Sequence, residues 1–271
     1  MSTTTAVVLA AGKGTRMQRP DAGVSLTSEQ AHAADSGSKA MIPIGRPFLD
    51  YVLNALADGG IEDICIVVSP RDSAIRDHYT RRGTLSRLRV TFAEQAEPRG
   101  TADAVRCARA WVDDEQFLVL NADNVYSART LRAVCAIDGC GLAGYRAGPL
   151  VQLSNIPRER LRAFALLDVD ASGRLRSITE KPANAPDSAF GDDALVSMNL
   201  WSFTRAMFDA CDRVTPSMRG ELELADAVRI AMHELSVTFH VTTVDDGVID
   251  LSSRSDIAAV TKRLRDVTVS L

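Results

Sequence analysis

The sequence predicts an α/β fold of three layers, α/β/α, around a mostly parallel, mixed central sheet. Three observations predict it. Short β-branched apolar runs alternate with amphipathic segments through the first half, the order that βαβ units require. The first run ends at the glycine turn Gly12-Lys-Gly-Thr-Arg16, at the carboxyl end of a strand, where open α/β sheets hold ligands. A length of 271 residues, 46% of them hydrophobic, suits one large core and hence a single domain over residues 1–271.

Taken in order, Thr5 to Ala10 is an apolar, β-branched run that reads as a buried strand. Residues 18 to 38 are small and polar without sustained periodicity, which predicts a long loop forming a flap beside that strand. Pro47 to Leu56 has apolar residues at 48, 49, 52, 53 and 56 and stops at Gly59-Gly60, as an amphipathic helix does. Ile64 to Val68 is a second strand. Ser69-Pro70 supplies an N-cap and a first-turn proline for a helix ending near Gly83, and Arg89 to Ala93 is a third strand. Gly100 to Val112 (helix), Phe117 to Leu120 (strand), Ala128 to Ile137 (helix) and Gly141 to Ala147 (strand) continue the alternation. The pattern then changes. Asp170-Ala-Ser-Gly173 turns Phe164–Val169 back on Leu175–Thr179 as an antiparallel hairpin that extends the sheet. Strands at Leu195–Phe203 and Val237–Val244 and helices at Leu222–Leu235 and Ser255–Leu264 complete the reading.

Composition narrows the partners. A net charge of -4 offers no basic footprint for nucleic acid. No run of about 18 apolar residues is present to span a bilayer, and the polar start Met1-Ser-Thr-Thr-Thr5 lacks the features of a secretory signal, so a cytoplasmic protein without membrane contact is expected. The five cysteines form no C-x-x-C pair and read as reduced thiols. The four histidines read as core or surface residues. Only Lys13, Lys39, Lys181 and Lys262 are lysines among 31 basic residues, so a lysine kept here suits a compact charge on a phosphate oxygen.

The glycine turn lacks the third glycine of a dinucleotide fingerprint and the Gly-Lys-Ser/Thr ending of a P-loop. What remains is a turn whose N–H groups can approach phosphate, with Lys13 and Arg16 adding charge. Asp123 ends the apolar strand Phe117-Leu-Val-Leu-Asn-Ala-Asp123, on the same sheet edge as Gly12 if the two strands are parallel. Asp250 ends a short apolar run just before the last helix, where an N-cap is the rival role. Two carboxylates suffice for Mg²⁺, which fills its other positions with phosphate and water. Gln95 has the donor and acceptor that a pyrimidine edge needs, the rival being a surface amide beside a helix capped by Thr101. Glu180-Lys181 has a surface ion pair as its rival role, and the acids from Glu221 to Asp226 can equally serve a helix dipole.

The string Leu9-Ala-Ala-Gly-Lys-Gly-Thr-Arg-Met17 strongly resembles the signature of the sugar-1-phosphate nucleotidylyltransferases, and later segments recur in that family's order over about residues 5 to 260. The resemblance implies a Rossmann-like nucleotidyltransferase fold of the glycosyltransferase-A-like kind, with a nucleotide-binding half at about 1–125 and a sugar-phosphate half at about 126–271. Leu9, Ala11 and Gly12 would meet base and ribose, and Gly14, Thr15 and Arg16 the phosphates. Lys39-Ala-Met-Ile-Pro43 is similar to the second signature and would set Lys39 near the phosphates. Gln95, Gly100 and Thr101 would read the base. Glu180 and Lys181 would take the sugar phosphate; Glu221 would touch sugar hydroxyls. Asn199, where many relatives carry glycine, would line the sugar pocket. Asp123 and Asp250 would hold Mg²⁺, and Arg16, Lys39 and Asp123 would carry catalysis.

The implied activity joins a nucleoside triphosphate, UTP or dTTP, to a sugar 1-phosphate and releases pyrophosphate. One rival is a cytidylyltransferase acting on phosphocholine or another non-sugar phosphate. Another is a non-catalytic nucleotide sensor, against which the presence of Arg16, Asp123 and Asp250 speaks. Members range from monomers to tetramers, so a homo-oligomer fits. The chain's end at Leu271 predicts that the β-helix some members append is not part of it.

Overall fold

Side chains of the first strand, β1 (Thr5–Leu9), alternate between two cores: Ala6 and Val8 face one, Val7 the other. The computed structural model in which this is seen describes residues 3–21, 23–70, 73–113, 116–182 and 185–271. After β1 come α1 (Thr15–Gln18), α2 (Ser28–Ser36), α3 (Phe48–Gly59), β2 (Asp63–Val68), α4 (Ser73–Arg82), β3 (Arg89–Glu94), α5 (Thr101–Cys107) and β4 (Gln116–Asn121). The second half follows with β5 (Asn124–Tyr126), α6 (Ala128–Cys135), β6 (Cys140–Arg146), α7 (Ala147–Leu153), β7 (Ala165–Val169), β8 (Leu175–Thr179) and β9 (Leu195–Thr204). It ends with α8 (Ala206–Arg213), α9 (Leu224–Glu234), β10 (Phe239–Val244), β11 (Val248–Asp250) and α10 (Asp256–Leu264).

The nine-stranded sheet runs β10-β6-β9-β4-β1-β2-β3, with β7 added on β9 and β8 on β7. β1 pairs in parallel with β2 and β4, and β2 with β3. β9 runs antiparallel to β4, β6 and β7, and β8 antiparallel to β7, so these two oppose the direction shared by the rest. The mostly parallel, mixed sheet expected from the sequence is therefore present. α3, α4, α6 and α10 cover one face through residues such as Phe48, Tyr79, Leu131 and Val260. α5, α8 and α9 cover the other through Val105, Phe208 and Val228. Because both faces are buried, the central strands read as unbroken apolar runs such as Ile64-Cys-Ile-Val-Val68.

Several expectations need correction. The stretch 18–38 is not loop throughout, because Ser28–Ser36 is helical. Thr27 accepts from the Gln30 amide and Gln30 returns the bond to Thr27, a capping box, while Gly37 ends the helix at φ 80°. Only Ala34 of this helix is buried, so it carries no apolar stripe that periodicity could detect. Ala147 opens α7 instead of closing a strand. α8 and the two-stranded sheet of β5 with β11 were not expected. The predicted helix start at Ser69-Pro70 is followed by Arg71 and Asp72, which lie outside the described residues, as do Met1 and Ser2 of the polar N-terminus. Among the described residues, no helix is long and apolar enough to cross a membrane. His78 stands 3.4 Å from Asp50, beside Tyr79 and Arg82, and so belongs to a polar network joining α3 and α4.

Candidate active site

The parallel pairing of β1 with β4 sets their carboxyl ends side by side, and Ala122 N–H donates to the Leu9 carbonyl at 3.0 Å. The glycine turn therefore opens next to Asp123. Leu9, Ala11, Gly12, Lys13, Gly14, Thr15 and Arg16 line one wall of a cleft of about 320 Å³. Buried Met17 anchors this wall in the core. Gly14 adopts φ 61°, and a Cβ there would stand 2.1 Å from the Gly37 carbonyl oxygen, so the end of α2 packs directly on the turn. Gly37, Ser38 and Lys39 continue the lining.

The opposite wall carries Gln95, Pro98, Gly100 and Thr101, with Glu221 at its rim. Gln95 is 4% exposed and so is not the surface amide of the rival reading. Its Nε2 donates to the Gly100 carbonyl at 3.0 Å and to Asp103 Oδ2 at 2.9 Å. Both amide hydrogens are thereby directed into the protein, and the group offered to the cleft is the carbonyl oxygen. Gly100 adopts φ 122° and admits the Leu222 backbone so closely that a Cβ would lie 2.5 Å from it. Leu222 N–H donates to the Arg99 carbonyl at 2.7 Å, Ala102 N–H to the Leu222 carbonyl at 2.9 Å, and Leu224 N–H to Thr101 Oγ1 at 2.9 Å. Thr101 thus docks the segment that carries Glu221. Glu223 instead holds Arg219, at 2.7 Å.

Asp123 sits where the two walls meet, with Lys39 Nζ 2.9 Å from its Oδ2. Asp250 comes from 127 residues further along the chain to stand beside it. β11 pairs with β5, aligning Asp250 with Asn124, and Leu251 N–H donates to the Asp123 carbonyl at 2.9 Å. The N-cap position of α10 is Ser255, so the rival role for Asp250 does not hold. Burial and then the neighbouring Asp123 charge push the Asp250 carboxyl up to about 6, with Arg160 and Ser252 acting in the other direction. Of the two neighbouring carboxylates Asp250 is buried and Asp123 partly exposed, and each already meets a protein cation, Arg160 and Lys39 respectively. The carboxylates offer the hard oxygen donors that Mg²⁺ takes when phosphate and water complete its shell. Among the described residues no cluster of three or more His, Cys, Asp or Glu that could hold a metal ion forms.

Three residues that sequence reading missed hold this centre. The Arg160 guanidinium bridges Asp250 and Asp256, at 2.7 Å from the latter. Asn155 donates to the Asp250 carbonyl at 2.7 Å and accepts from the Asp250 N–H at 2.9 Å, acting as a substitute strand. Arg254 Nε donates to the Met17 carbonyl at 2.8 Å and Nη2 reaches Gln18 and Asp35. Each partner is distant in sequence, so no local pattern announces it. Of the predicted site residues, Asp250, Glu180, Lys181 and Asn199 are not among those lining the cleft. Glu180 and Lys181 pair with each other at 3.2 Å at the end of β8. Asn199 lies within β9 at φ 58°.

A glycine turn, adjacent carboxylates and inward-held polar groups at the carboxyl edge of this sheet define a nucleotide-binding α/β enzyme. The chain belongs to the nucleotidyl transferase family, whose model matches residues 5–251. It is 28% identical over 266 residues to UTP–glucose-1-phosphate uridylyltransferase AglF of Haloferax volcanii, covering 97% of each chain. It is 33% identical over 233 residues to glucose-1-phosphate thymidylyltransferase of Streptomyces griseus, covering 83% of this chain and 56% of that one. It is 26% identical to the low-salt glycan biosynthesis nucleotidyltransferase Agl11 of Haloferax volcanii, covering 84% of this chain. The chain thus spans 57% of the length of Agl11 but nearly all of AglF. Among solved structures, UDP-glucose pyrophosphorylase complexed with UDP-glucose superimposes with a TM-score of 0.74 at 15% identity, covering 97% of this chain and 98% of that chain. At that identity the likeness speaks for the fold.

Proposed function

We propose that this protein transfers a nucleotidyl group from UTP or dTTP to a sugar 1-phosphate, giving a nucleoside-diphosphate sugar and pyrophosphate. The observation that carries the reading is the meeting, in one cleft, of the Gly12–Arg16 turn, the buried Gln95 and the carboxylate of Asp123. AglF and the Streptomyces enzyme, named for glucose 1-phosphate, support the same substrate class.

The Gln95 carbonyl oxygen accepts from the N3–H of uracil or thymine. Cytosine has no hydrogen at N3 and would set two acceptors against each other, which disfavours the cytidylyltransferase alternative. Leu9 and Ala11 supply apolar contact for base and ribose. Gly14, Thr15 and Arg16 hold the phosphates, with N–H groups at the start of α1 and the guanidinium facing the negative charge. A sugar phosphate oxygen attacks the α-phosphorus in line, and pyrophosphate leaves. Alignment and charge stabilisation suffice for such a step, with no protein nucleophile. Lys39, Arg16 and Lys13 provide positive charge at the cleft. Asp123 and Asp250 would hold a divalent cation, Mg²⁺ by the chemistry of the donors, which would supply charge neutralisation. Glu221 at the rim takes sugar hydroxyls, with Glu180, Lys181 and Asn199 acting on the sugar phosphate from outside the cleft lining. The five cysteines are thiols, Cys107 half-buried and the others buried, which suits a cytoplasmic enzyme.

The test is a matrix of UTP, dTTP, CTP, ATP and GTP against a panel of sugar 1-phosphates and phosphocholine, read by pyrophosphate release and product mass. A nucleoside-diphosphate sugar from UTP or dTTP is expected. Turnover confined to CTP and phosphocholine, or no turnover with any pair, overturns the reading.

A further inference from the structure

The base-facing amide does not choose its own orientation. Gln95, on the cleft wall read as meeting the base, and its partner Asp103 are both buried, at 4% exposure each. An amide can present either its oxygen or its nitrogen, and the two ends are nearly identical in shape, so only its hydrogen-bond partners decide. Here the partners are a backbone carbonyl, Gly100 O at 3.0 Å, and a carboxylate, Asp103 Oδ2 at 2.9 Å. Gly100 O can only accept. The Asp103 carboxylate, whose other oxygen accepts from the Arg106 guanidinium, can only accept as well. Rotating the amide by half a turn would set the Gln95 oxygen against both acceptors.

We infer that Asp103 is a specificity-determining positioning residue: it locks Gln95 with its carbonyl oxygen toward the base and thereby selects uracil or thymine over cytosine. This rests on the reading of Gln95 as the base-contacting residue. Asp103 lies in the first turn of α5 and is not among the residues that line the cleft. It acts on the nucleotide only through Gln95. Asp103→Asn converts the lock into a choice. Arg106 can only donate, so it draws the asparagine oxygen to itself and leaves the asparagine NH₂ facing Gln95. Gln95 then rotates in part of the population and presents its NH₂ to the base, a donor that suits cytosine N3.

The test measures kcat/KM of the full chain for UTP, dTTP and CTP at saturating concentration of the sugar 1-phosphate that the wild type uses best. Wild type is expected to prefer UTP or dTTP strongly over CTP. Asp103→Asn is expected to shrink the UTP-to-CTP ratio by about tenfold or more, with KM for the sugar phosphate unchanged. Asp103→Glu, which keeps an acceptor-only group, and Arg106→Gln, which disturbs the same cluster but leaves the carboxylate, keep most of the wild-type ratio. If turnover of a variant is too slow, equilibrium binding of UTP and CTP reads the same ratio. An Asp103→Asn protein that loses UTP and CTP activity by the same factor overturns the assignment, since a merely structural role moves both alike. Equal use of CTP and UTP by the wild type itself overturns the Gln95 reading and this inference with it, so the two failures are told apart.

Discussion

Lys39 Nζ lies 2.9 Å from Asp123 Oδ2, so the carboxylate proposed to bind metal is held by a cation of the second signature. Both side chains are partly exposed, at 17% and 21%, and such a pair contributes about 1 kcal/mol or less to stability. Asp123→Ala is therefore expected to leave the melting temperature nearly unchanged while reducing turnover by about 10³-fold or more. Pyrophosphate release measured beside a thermal melt checks both halves. Wild-type release from this variant would remove Asp123 from the metal site.

Asp250 gives a pH dependence with an unusual sign. Burial and the charge of Asp123 raise its carboxyl from 3.8 to about 6. Between those values the folded protein holds a proton that the unfolded chain has released, so stability falls as pH rises through about 6. The loss is on the order of 2 to 3 kcal/mol at most. Asp250→Asn should flatten this part of the profile. Mg²⁺ needs the ionised carboxylate, so its stabilising effect should be larger at pH 7.5 than at pH 5. Thermal melts at the two pH values, with and without Mg²⁺, decide the matter; equal metal effects at both would rule Asp250 out as a ligand.

Most of the strands were legible because each is a β-branched run between glycine or polar breaks, as in Thr5–Leu9 and Asp63–Val68. The cleft was legible as far as its residues lie at strand ends or in the glycine turn. α2 was hidden because its stability comes from the Thr27–Gln30 capping box and the Gly37 cap, not from an apolar stripe. Asn155, Arg160 and Arg254 were hidden for another reason. Their work is done by pairing across up to 237 residues of chain, as between Arg254 and Met17. The order Lys39, Asp123, Asp250 could be read along the sequence, but the approach of Asp250 to Asp123 depends on β5 pairing with β11, two strands of three residues each.

Arg254 sits four residues after Asp250 and is only 11% exposed. Its guanidinium binds the carbonyls of Met17 and Gln18, at the end of the short helix that carries Arg16, and also Asp35 of α2. Helix-terminal carbonyls need such donors, and a charged one also opposes the helix dipole. Arg254→Ala should speed amide hydrogen exchange across residues 14–38 and raise KM for the nucleoside triphosphate about tenfold, with a smaller effect on kcat. Unaltered exchange and KM would show that the turn is held without it.

Gly100 lets the chain from the second half touch the first. Its φ of 122° is open essentially to glycine alone, and an added Cβ would lie 2.5 Å from the Leu222 N and O atoms. Gly100→Ala should cost about 2 kcal/mol or more and displace Glu221 from the rim of the cleft. Urea unfolding reads the first effect and KM for the sugar phosphate the second. A variant of wild-type stability would mean that the Leu222 segment moves aside freely.

Asn199 stands in β9 at φ 58°, where the pairing with β6 shifts register between Leu142 and Gly144. Two residues of β6 step along, Leu142 opposite Trp201 and then Gly144 opposite Ser197, so the extra length of β9 must bulge near Asn199. Left-handed backbone at a bulge suits glycine and, among other residues, asparagine best. This accounts in backbone terms for asparagine at this place in the strand. Asn199→Gly should therefore stay within about 1 kcal/mol of wild type, whereas Asn199→Val, branched at Cβ, should lose about 1 to 3 kcal/mol. If the amide also contacts the sugar phosphate, the glycine variant will show a raised KM for that substrate with its stability intact, a separation that unfolding curves and kinetics on the same preparation resolve. A valine variant as stable as the glycine one would show that the strand relaxes there, and the backbone would no longer explain the choice of residue.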